Sequence, residues 1–418
     1  GPRRAVIDSR AAGPGGLLVG LPGAHAAGGE FAAAALAAGA WGVLVAAAHA
    51  PDLAGPGAVL VAEDPLAGLQ SLAQAWRRTL GARVVAITGS TGKTSTKDIL
   101  SAVLGQELVT VSSPGNLNTD IGLPLSVLEA PAGTEALVLE LAMRGPGEIA
   151  RLTEICEPDV AVIVNVGPAH LERLGTLEAI AAAKAELLVG LAAGATAVIP
   201  AGEPLLEPHL RSDHEIVRFG PGGDIRLVGV GPAGVEIDAA GERLEFEPGF
   251  RARHLIVNLL AAVGAARALG VSPSGRLRVA FSEGRGERIE LPGGVTVVDD
   301  CYNANPMSMR AALEELQLTA PGRRVAVLGD MLELGPEEPR FHRELGVQAS
   351  AAGVELLVTV GDRAALAGEG FSAEHRHVRD AGEAARLVPS LLREGDTVLI
   401  KASRGVGLEL LADALVAR

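Results

Sequence analysis

The chain has 418 residues, 48% of them apolar, and a formal net charge of −14. This length exceeds one ordinary hydrophobic core, so we expect two to four domains. The acidic balance argues against a general nucleic-acid-binding protein, which needs a basic face for phosphates. No run approaches the roughly 20 uninterrupted apolar residues of a membrane span, and no secretory leader opens the chain. We therefore expect no nucleic-acid partner and no membrane insertion.

Cysteine and lysine usage are both informative. Cys156 and Cys301 stand in no metal-type spacing and cannot form a disulfide framework, which favours a reducing cytoplasm. A compositional bias toward arginine explains part of the lysine shortage, but lysine offers a compact ammonium that can lose its proton, and arginine does not. Each remaining lysine is thus a candidate for chemistry. Against 32 arginines the chain has four lysines: Lys93, Lys97, Lys184 and Lys401.

The first two regions of the chain alternate short apolar runs with helical stretches, which predicts two α/β domains. In residues 1–80, the N-terminal domain, we expect strands at 17–19, 42–45 and 58–61 and helices at 30–39 and 65–79. In residues 81–280, the central domain, we expect strands at 83–88, 136–141, 160–165 and 195–199 and helices at 93–104, 146–155, 176–191 and 254–268. Such alternation is typical of a mostly parallel sheet. Segment 212–250 predicts a small antiparallel insertion.

Residues 281–418, the C-terminal domain, begin at a joint rich in glycine and arginine and alternate again. This predicts a third, smaller α/β domain of Rossmann-like type. We expect strands at 295–299, 324–328, 356–360 and 397–400 and helices at 306–317, 339–351, 381–392 and 405–416. No internal repeat is evident. A monomer is the default expectation.

A glycine-rich loop follows the predicted strand 83–88 and precedes a helix, which is the context of a phosphate loop. Its glycines let backbone N–H groups surround an anion, while Lys93 can meet β/γ-phosphates and Thr94 can offer a hydroxyl to Mg²⁺. The loop is a shortened G-x-x-G-K-T form, because Ile87 stands where the longer form has its first glycine. The alternative is a chance glycine-rich turn. The predicted ATP-binding residues here are Gly89, Ser90, Thr91, Gly92, Lys93, Thr94 and Ser95.

Four more polar residues stand out in apolar surroundings. Glu140 ends a predicted strand and His170 follows another, so both are expected at the carboxyl edge of the sheet, where Mg²⁺ would need ligands. Alone, each could be an ordinary strand-end or loop residue; with Thr94 they form a credible set. Lys184 lies on an otherwise apolar helix, as a snorkelling surface lysine or a chemical group. Asn258 is either a satisfied core amide or a reader of a base edge.

With these residues assembled, the chain resembles the Mur ligase family, the ATP-dependent amide ligases that build the peptidoglycan precursor. The resemblance covers essentially the whole chain, and it rests on the short phosphate loop, Glu140, His170 and the Ala-x-Lys helix around Lys184. Within the family, four motifs are most similar to the members that add D-Ala-D-Ala. They are Gly-Pro-Gly-Glu-Ile at 145–149, Gly-Pro-Ala-His-Leu-Glu at 167–172, Asp-Asp-Cys-Tyr-Asn-Ala-Asn-Pro at 299–306 and Gly-Asp-Met-Leu-Glu-Leu-Gly at 329–335.

The resemblance implies a ligase that uses ATP to join D-Ala-D-Ala to UDP-N-acetylmuramoyl-tripeptide through an acyl phosphate. It implies that Lys93 and Thr94 hold the phosphates and, with Glu140, a first Mg²⁺. It implies that His170 binds a second Mg²⁺ and that Lys184 carries a CO₂-derived carbamate. Residues supplied by another domain would complete the site only when domains close, which keeps water from the acyl phosphate.

The resemblance also implies contacts for the remaining ligand groups. It makes the N-terminal domain the UDP-sugar-binding domain, the central domain the ATP-binding domain and the C-terminal domain the amine-binding domain. Ala27-Gly28-Gly29 departs from the family's usual Asp-Gly-His, and Ala142 and Ala402 stand where glycine is usual. The implied contacts are Asn258, Arg285 and Asp300 for the nucleotide; Ser9 and Arg10 for UDP; Asn116, Asn118 and Thr119 for the sugar-peptide end; Lys401 and Arg404 for the amine; and Asn303 and Asn305 as further substrate contacts.

Three alternatives remain open from the sequence. The preceding ligase of the family adds the third amino acid, and it usually carries Asp-Tyr-Ala-His-x-Pro where this chain has Tyr-Asn-Ala-Asn-Pro at 302–306. Folylpolyglutamate synthase normally lacks the uridine-binding first domain. A phosphate-loop regulator or motor would have no ligase chemistry; Lys184 and the nucleotide-site residues of the C-terminal domain argue against it.

Overall fold

The computed structural model describes residues 1–24, 26–51, 53, 55–231 and 234–417, and the chain forms three sheets within them. The sheets have four, ten and six strands, and each lies inside one of the three regions named above. The predicted α/β class with parallel-rich sheets is confirmed, while the domain boundaries stay predictions. None of the helices in these ranges is long and apolar enough to cross a membrane.

The N-terminal sheet is parallel throughout, in the order β1-β2-β3-β4. Helix α2 begins at Pro65 because the Asp64 carboxylate accepts a hydrogen bond from Leu66 N, and it ends at Leu80 because Gly81 caps it with a φ of 65°. Helix α1 is shorter than predicted, because a 3₁₀ turn at Gly28–Phe31 precedes it. The elements are β1 Arg4–Val6, β2 Gly16–Val19, α1 Ala32–Ala37, β3 Gly42–Ala46, β4 Ala58–Ala62 and α2 Pro65–Leu80.

The central domain is built on the ten-stranded sheet. Its strands are β5 Arg83–Thr88, β6 Thr110–Ser112, β7 Ala136–Glu140, β8 Val160–Ile163, β9 Thr196–Pro200, β10 Glu215–Phe219, β11 Ile225–Gly231, β12 Gly234–Ala239, β13 Glu242–Glu247 and β14 Gly275–Arg276. Its helices are α3 Lys93–Leu104, α4 Gly122–Glu129, α5 Glu148–Cys156, α6 Leu171–Leu174, α7 Leu177–Val189 and α8 Arg253–Ala268. Strand β5 lies between β7 and β8 and is parallel to both, so the carboxyl ends of these three strands meet.

The prediction of a small antiparallel insertion at 212–250 is only partly right. Strands β11, β12 and β13 are antiparallel, but β10 pairs in parallel with β9, so the segment continues the central sheet. The physical reason is a shared core. Phe219 and Phe246 of this segment belong to the same buried cluster as Val85 of β5 and Leu260 of α8. One face of these strands is exposed, which gives them the alternating pattern of an independent hairpin.

The C-terminal sheet has the order β15-β16-β20-β17-β18-β19, and only β15 is antiparallel to its neighbour. Strands β15 and β19 were not predicted, because they are edge strands rich in charged and exposed residues. Helix α12 is shorter than predicted and α13 starts later, since 3₁₀ turns follow the former and precede the latter. The elements are β15 Glu287–Leu291, β16 Val295–Asp299, α9 Pro306–Thr319, β17 Arg324–Gly329, α10 Glu338–Ala351, β18 Leu356–Val360, α11 Ala367–Gly370, β19 Glu374–Val378, α12 Ala381–Leu387, β20 Thr397–Lys401 and α13 Glu409–Val416.

Helix α2 fixes the N-terminal sheet to the central domain. Leu69 of α2 and Leu125 of α4 belong to one buried cluster, which also contains apolar residues of β1, β2 and β3. On the next turns, Trp76 Nε1 donates to Ala130 O at 3.0 Å and Arg77 Nε donates to Cys156 O at 2.9 Å. The two regions therefore share a core as well as hydrogen bonds.

Candidate active site

The phosphate loop connects β5 to the first turn of α3. Gly92 caps the helix with a φ of 77°, and a Cβ there would lie 2.8 Å from Asn258 Oδ1. Glycine is therefore required at this position, both for the left-handed backbone and for the close approach of α8. Asn258 is 4% exposed, and its side chain makes no hydrogen bond within the described ranges. Its amide thus remains available to a ligand beside the loop.

Asn165, which follows β8, holds the phosphate loop through hydrogen bonds. Its Oδ1 accepts hydrogen bonds from Ser90 N at 3.1 Å and Thr91 N at 3.0 Å, and its Nδ2 donates to Thr91 O at 3.0 Å. This residue had no predicted role. The available signal was that an asparagine, scarce in this chain, stands at the end of the predicted strand 160–165, which pairs with β5.

Lys93 and Thr94 begin α3 and point toward the end of β7. Lys93 Nζ donates to Gly89 O at 2.8 Å, and burial lowers the pKa of its ammonium against the opposing charge of Glu140. Thr94 Oγ1 donates to Glu140 Oε2 at 2.8 Å, and Asn118 Nδ2 donates to Glu140 Oε1 at 2.8 Å. A hydroxyl and a buried carboxylate thus lie side by side next to a phosphate loop, which is the ligand chemistry of Mg²⁺ in phosphoryl transfer.

No cluster of three or more His, Cys, Asp or Glu side chains in the described ranges could hold a metal by itself. This agrees with the way Mg²⁺ is held in nucleotide sites, by one or two protein oxygens together with phosphates and water. Thr94 and Glu140 fit such a site.

His170 lies after β8, in a left-handed conformation with a φ of 61°. Its Nδ1 is 2.5 Å from Glu333 Oε2 of the C-terminal domain. Burial lowers the pKa of the imidazole, although the Glu333 carboxylate acts in the opposite direction. Nε2 has no hydrogen-bond partner among the described residues, so it is free to bind a ligand in the cleft.

Lys184 on α7 is 2% exposed, so the alternative of a snorkelling surface lysine is wrong. Nothing in the described part of the chain forms a hydrogen bond or an ion pair with its Nζ. Burial, with a smaller contribution from the charge of Lys93, lowers the pKa of this amine well below its usual range. The structure thus contains a buried amine that favours its uncharged, nucleophilic form.

The C-terminal domain reaches the phosphate loop through two side chains. Arg285 lies between two left-handed glycines of the joint; its Nη2 donates to Thr94 Oγ1 at 3.2 Å, and its guanidinium lies 3.9 Å from the ring centre of Tyr302. Asn305 Nδ2 donates to Ser90 O at 3.2 Å. The two domains are therefore in direct contact at the loop.

Lys401 at the end of β20 shapes the adjacent loop of the C-terminal domain. Its Nζ donates to Asp300 Oδ2 at 2.6 Å and to Asn303 O at 2.9 Å, and the residue is 2% exposed. Arg404 lies 5.3 Å from the Tyr302 ring centre, on the same aromatic side chain as Arg285. Tyr302 is the single tyrosine of the chain and lies in the motif at 299–306, where no role was predicted for it.

One cleft of about 1960 Å³ between the central and C-terminal domains brings most of the predicted residues together. Of the predicted residues, Gly89 and Lys184 do not line it, and Ser9 and Arg10 are in the N-terminal domain, where Arg10 pairs with Asp8 on the surface. Those that line it are Ser90, Thr91, Gly92, Lys93, Thr94, Ser95, Asn116, Asn118, Thr119, Glu140, His170, Asn258, Arg285, Asp300, Asn303, Asn305, Lys401 and Arg404.

Comparison with known proteins shows similarity to Mur ligases over nearly the whole chain. Residues 87–266 match the Mur ligase middle domain, and residues 284–404 match the Mur ligase, glutamate ligase domain. UDP-N-acetylmuramoyl-tripeptide–D-alanyl-D-alanine ligase of Bacillus subtilis is 36% identical, over 86% of this chain and 81% of its own length. A crystal structure of MurF from Acinetobacter baumannii superposes with a TM-score of 0.88 at 30% identity, covering 99% of this chain and 93% of that one. The MurF ligase from Thermotoga maritima in complex with ADP gives a TM-score of 0.85 at 31% identity, covering 99% and 97%. The chain belongs to the Mur ligase family.

Proposed function

We propose that this chain uses ATP to join D-Ala-D-Ala to the terminal carboxylate of UDP-N-acetylmuramoyl-tripeptide in peptidoglycan precursor synthesis. The B. subtilis relative carries that activity in its name, and the T. maritima relative binds ADP. The observation that carries the proposal is the cleft in which the phosphate loop meets Arg285 and Asn305 of the C-terminal domain. Its volume of about 1960 Å³ leaves room for more than one ligand.

The reaction has two steps. A carboxylate oxygen of the tripeptide attacks the γ-phosphorus of ATP, so that a bond to the acyl oxygen forms and ADP leaves. The amine of D-Ala-D-Ala then attacks the acyl carbon, inorganic phosphate leaves and the amine loses its proton. The loop N–H groups and Lys93 bind the β- and γ-phosphates, and Arg285 adds positive charge beside Thr94. Asn258 is proposed to hydrogen bond the base.

Two Mg²⁺ ions complete the site in this proposal, and when bound they neutralise phosphate charge and orient the reacting groups. Thr94 and Glu140 would hold the first, since their oxygens lie 2.8 Å apart beside the loop. His170 would hold the second through Nε2.

Lys184 is proposed to carry a carbamate. Carbamate formation needs an uncharged amine and CO₂, and burial without a counter-charge favours that amine. We expect Lys184→Ala to lose most ligase activity and to recover part of it in the presence of short carboxylic acids. Full activity in the variant, or no recovery with any acid, would reduce Lys184 to a core residue.

The remaining substrate contacts are proposed from the similarity to the Mur ligase family. Ser9 and Arg10 are proposed to contact UDP; Asn116, Asn118 and Thr119 the sugar-peptide end; and Asp300 the nucleotide. Lys401 and Arg404 are assigned to the amine, with Asn303 and Asn305 as further substrate contacts. The described cysteines are free thiols, which suits a reducing cytoplasm, and we propose that the enzyme works there as a monomer.

The deciding experiment measures phosphate release from Mg-ATP with UDP-N-acetylmuramoyl-tripeptide, with and without D-Ala-D-Ala. We expect release to depend on both substrates and the product to contain the new amide bond. Release that responds instead to a single free amino acid with the dipeptide-level precursor would identify the preceding ligase of the pathway. Hydrolysis that ignores both acceptors would favour a nucleotide-binding protein without ligase chemistry.

A further inference from the structure

Glu333 of the C-terminal domain contacts a proposed metal ligand of the central domain. It lies on the loop between β17 and α10, inside the motif at 329–335, to which the proposed function assigns no role. Its Oε2 is 2.5 Å from His170 Nδ1, and its own backbone oxygen accepts a hydrogen bond from Glu172 N at 3.1 Å. The side chain and the backbone of one residue thus both contact the His170 loop.

The loop that carries Glu333 is itself held by buried groups. Met331 N donates to Nε2 of the fully buried His342 at 3.0 Å, and Leu332 N donates to Ser403 Oγ at 2.9 Å. Ser403 N in turn donates to Asp330 O at 3.0 Å. Two successive N–H groups before Glu333 are therefore fixed, and one of them is fixed by the loop that is proposed to handle the amine.

The two loops fit each other closely. His170 and Glu333 are both left-handed, with φ values of 61° and 63°, which non-glycine residues adopt only when their surroundings require it. Leu171 packs against buried clusters of both domains. A Cβ on Gly335 would lie 3.1 Å from the Cα of Glu172, so the backbones approach closely there. The contact between His170 and Glu333 is therefore part of a closely packed interface between the central and C-terminal domains.

A carboxylate on one ring nitrogen of a ligand histidine fixes its tautomer and its orientation, and leaves the other nitrogen for the metal. We infer that Glu333 is a positioning residue that holds the His170 ring with Nε2 ready for ligand binding only while the C-terminal domain is docked. The inference rests on the proposed function, which makes His170 a metal ligand. It adds that this ligand is oriented by the opposite domain.

The test compares Glu333→Ala, Glu333→Gln and a control, Glu337→Gln. Glu337 is on the same loop, but its side chain is 56% exposed and pairs with Arg340. For each variant we would measure kcat, the KM for ATP, the melting temperature, and the number of Mn²⁺ ions bound to the protein with an ATP analogue, by electron paramagnetic resonance.

For Glu333→Ala we expect the bound Mn²⁺ to fall from two ions to one and kcat to fall about 10- to 100-fold, with little change in the KM for ATP. Glu333→Gln should recover part of both, because its amide oxygen can still accept a hydrogen bond from Nδ1. Glu337→Gln should match the wild type.

Two results would overturn the inference. One is Glu333→Ala with wild-type Mn²⁺ binding and kcat. The other is a Glu333→Gln that matches Glu333→Ala and melts as early, since that describes a structural contact alone. A wild-type chain that fails to ligate D-Ala-D-Ala would defeat the proposed function instead, while the Mn²⁺ comparison would still test Glu333.

Discussion

The central domain contacts its two neighbours in different ways. Toward the N-terminal sheet, Leu69 and Leu125 share one buried cluster, and α2 is tied to backbone oxygens of the central domain. Toward the C-terminal domain the contacts are mostly polar, and they involve Ser90, Thr94 and His170, the residues proposed to hold the nucleotide and metals. The first interface buries apolar surface, while the second uses groups that a ligand would also contact. We therefore expect the first to determine stability and the second to determine activity.

The largest effect is expected at the phosphate loop, for Lys93→Ala. Loss of the ammonium that meets the transferred phosphate should lower kcat about 10³-fold. The free energy of unfolding should not fall, because burial of this ammonium is itself unfavourable. Steady-state kinetics and urea unfolding would check both. A loss of stability as large as the loss of activity would contradict the division between the two interfaces.

At the N-terminal interface, Leu69→Ala should lower stability and leave activity unchanged. Leu69 is fully buried, so we expect a loss of about 3 kcal/mol in the free energy of unfolding, with kcat unchanged while the protein stays folded. The matched control is Leu318→Ala, whose side chain is 74% exposed and should cost no more than about 0.5 kcal/mol. Loss of activity in folded Leu69→Ala protein would show that the N-terminal interface also controls the cleft.

A smaller effect is expected at Asn305, where two substitutions separate a contribution to stability from a contribution to activity. Its Oδ1 caps α9 by accepting from Ser308 N at 2.9 Å, and its Nδ2 donates to Ser90 O. Asn305→Asp keeps the cap and removes the donor, so we expect kcat/KM for ATP to fall about tenfold, or about 1.4 kcal/mol, at unchanged stability. Asn305→Ala should lose about 1 kcal/mol of stability in addition. Equal kinetics for Asn305→Asp and wild type would show that this interdomain hydrogen bond is dispensable.

The last effect is a pH dependence on the C-terminal side, and it is small at any pH near 6.5. His342 accepts from Met331 N in the folded protein, and burial lowers the pKa of its imidazole. The unfolded chain, with a pKa near 6.5, then binds more protons below that pH, so stability falls as pH falls, by at most about 1.4 kcal/mol per pH unit. His342→Gln should flatten this slope between about pH 6.5 and the lower folded pKa. Unfolding at several pH values would check it; parallel curves for the two proteins would refute it.

The sequence predicted the core strands best. The predicted strands 83–88, 295–299 and 356–360 coincide with β5, β16 and β18, because strands buried on both faces are continuous apolar runs. The edge strands β15 and β19 were missed, because half-exposed strands carry charged residues at these positions. Burial on both faces makes a strand easy to recognise in one sequence, although the apolar edge strand β4 was also predicted.

The candidate site was predictable where it follows from strand order. The ends of β5, β7 and β8 had to meet in a parallel sheet, and Thr94 and Glu140 do lie together. Their functional roles stay proposals. The contact between His170 and Glu333 could not be predicted, because the two residues are 163 positions apart in the chain and meet only through the docking of two domains. Local patterns carry no information about such docking.

The shared core around Leu69 also bears on how the chain can be divided. A protease that cut the joint near Gly284 and Gly286 would leave the C-terminal sheet attached by polar contacts, the packing of Leu171 and the contact of Met307 with Gly167. A cut after α2, at Gly81, would leave Leu125 and its apolar neighbours uncovered only if the first 80 residues also dissociated. The molecule therefore has three sheets, and its large cleft lies at the more polar of the two interdomain boundaries.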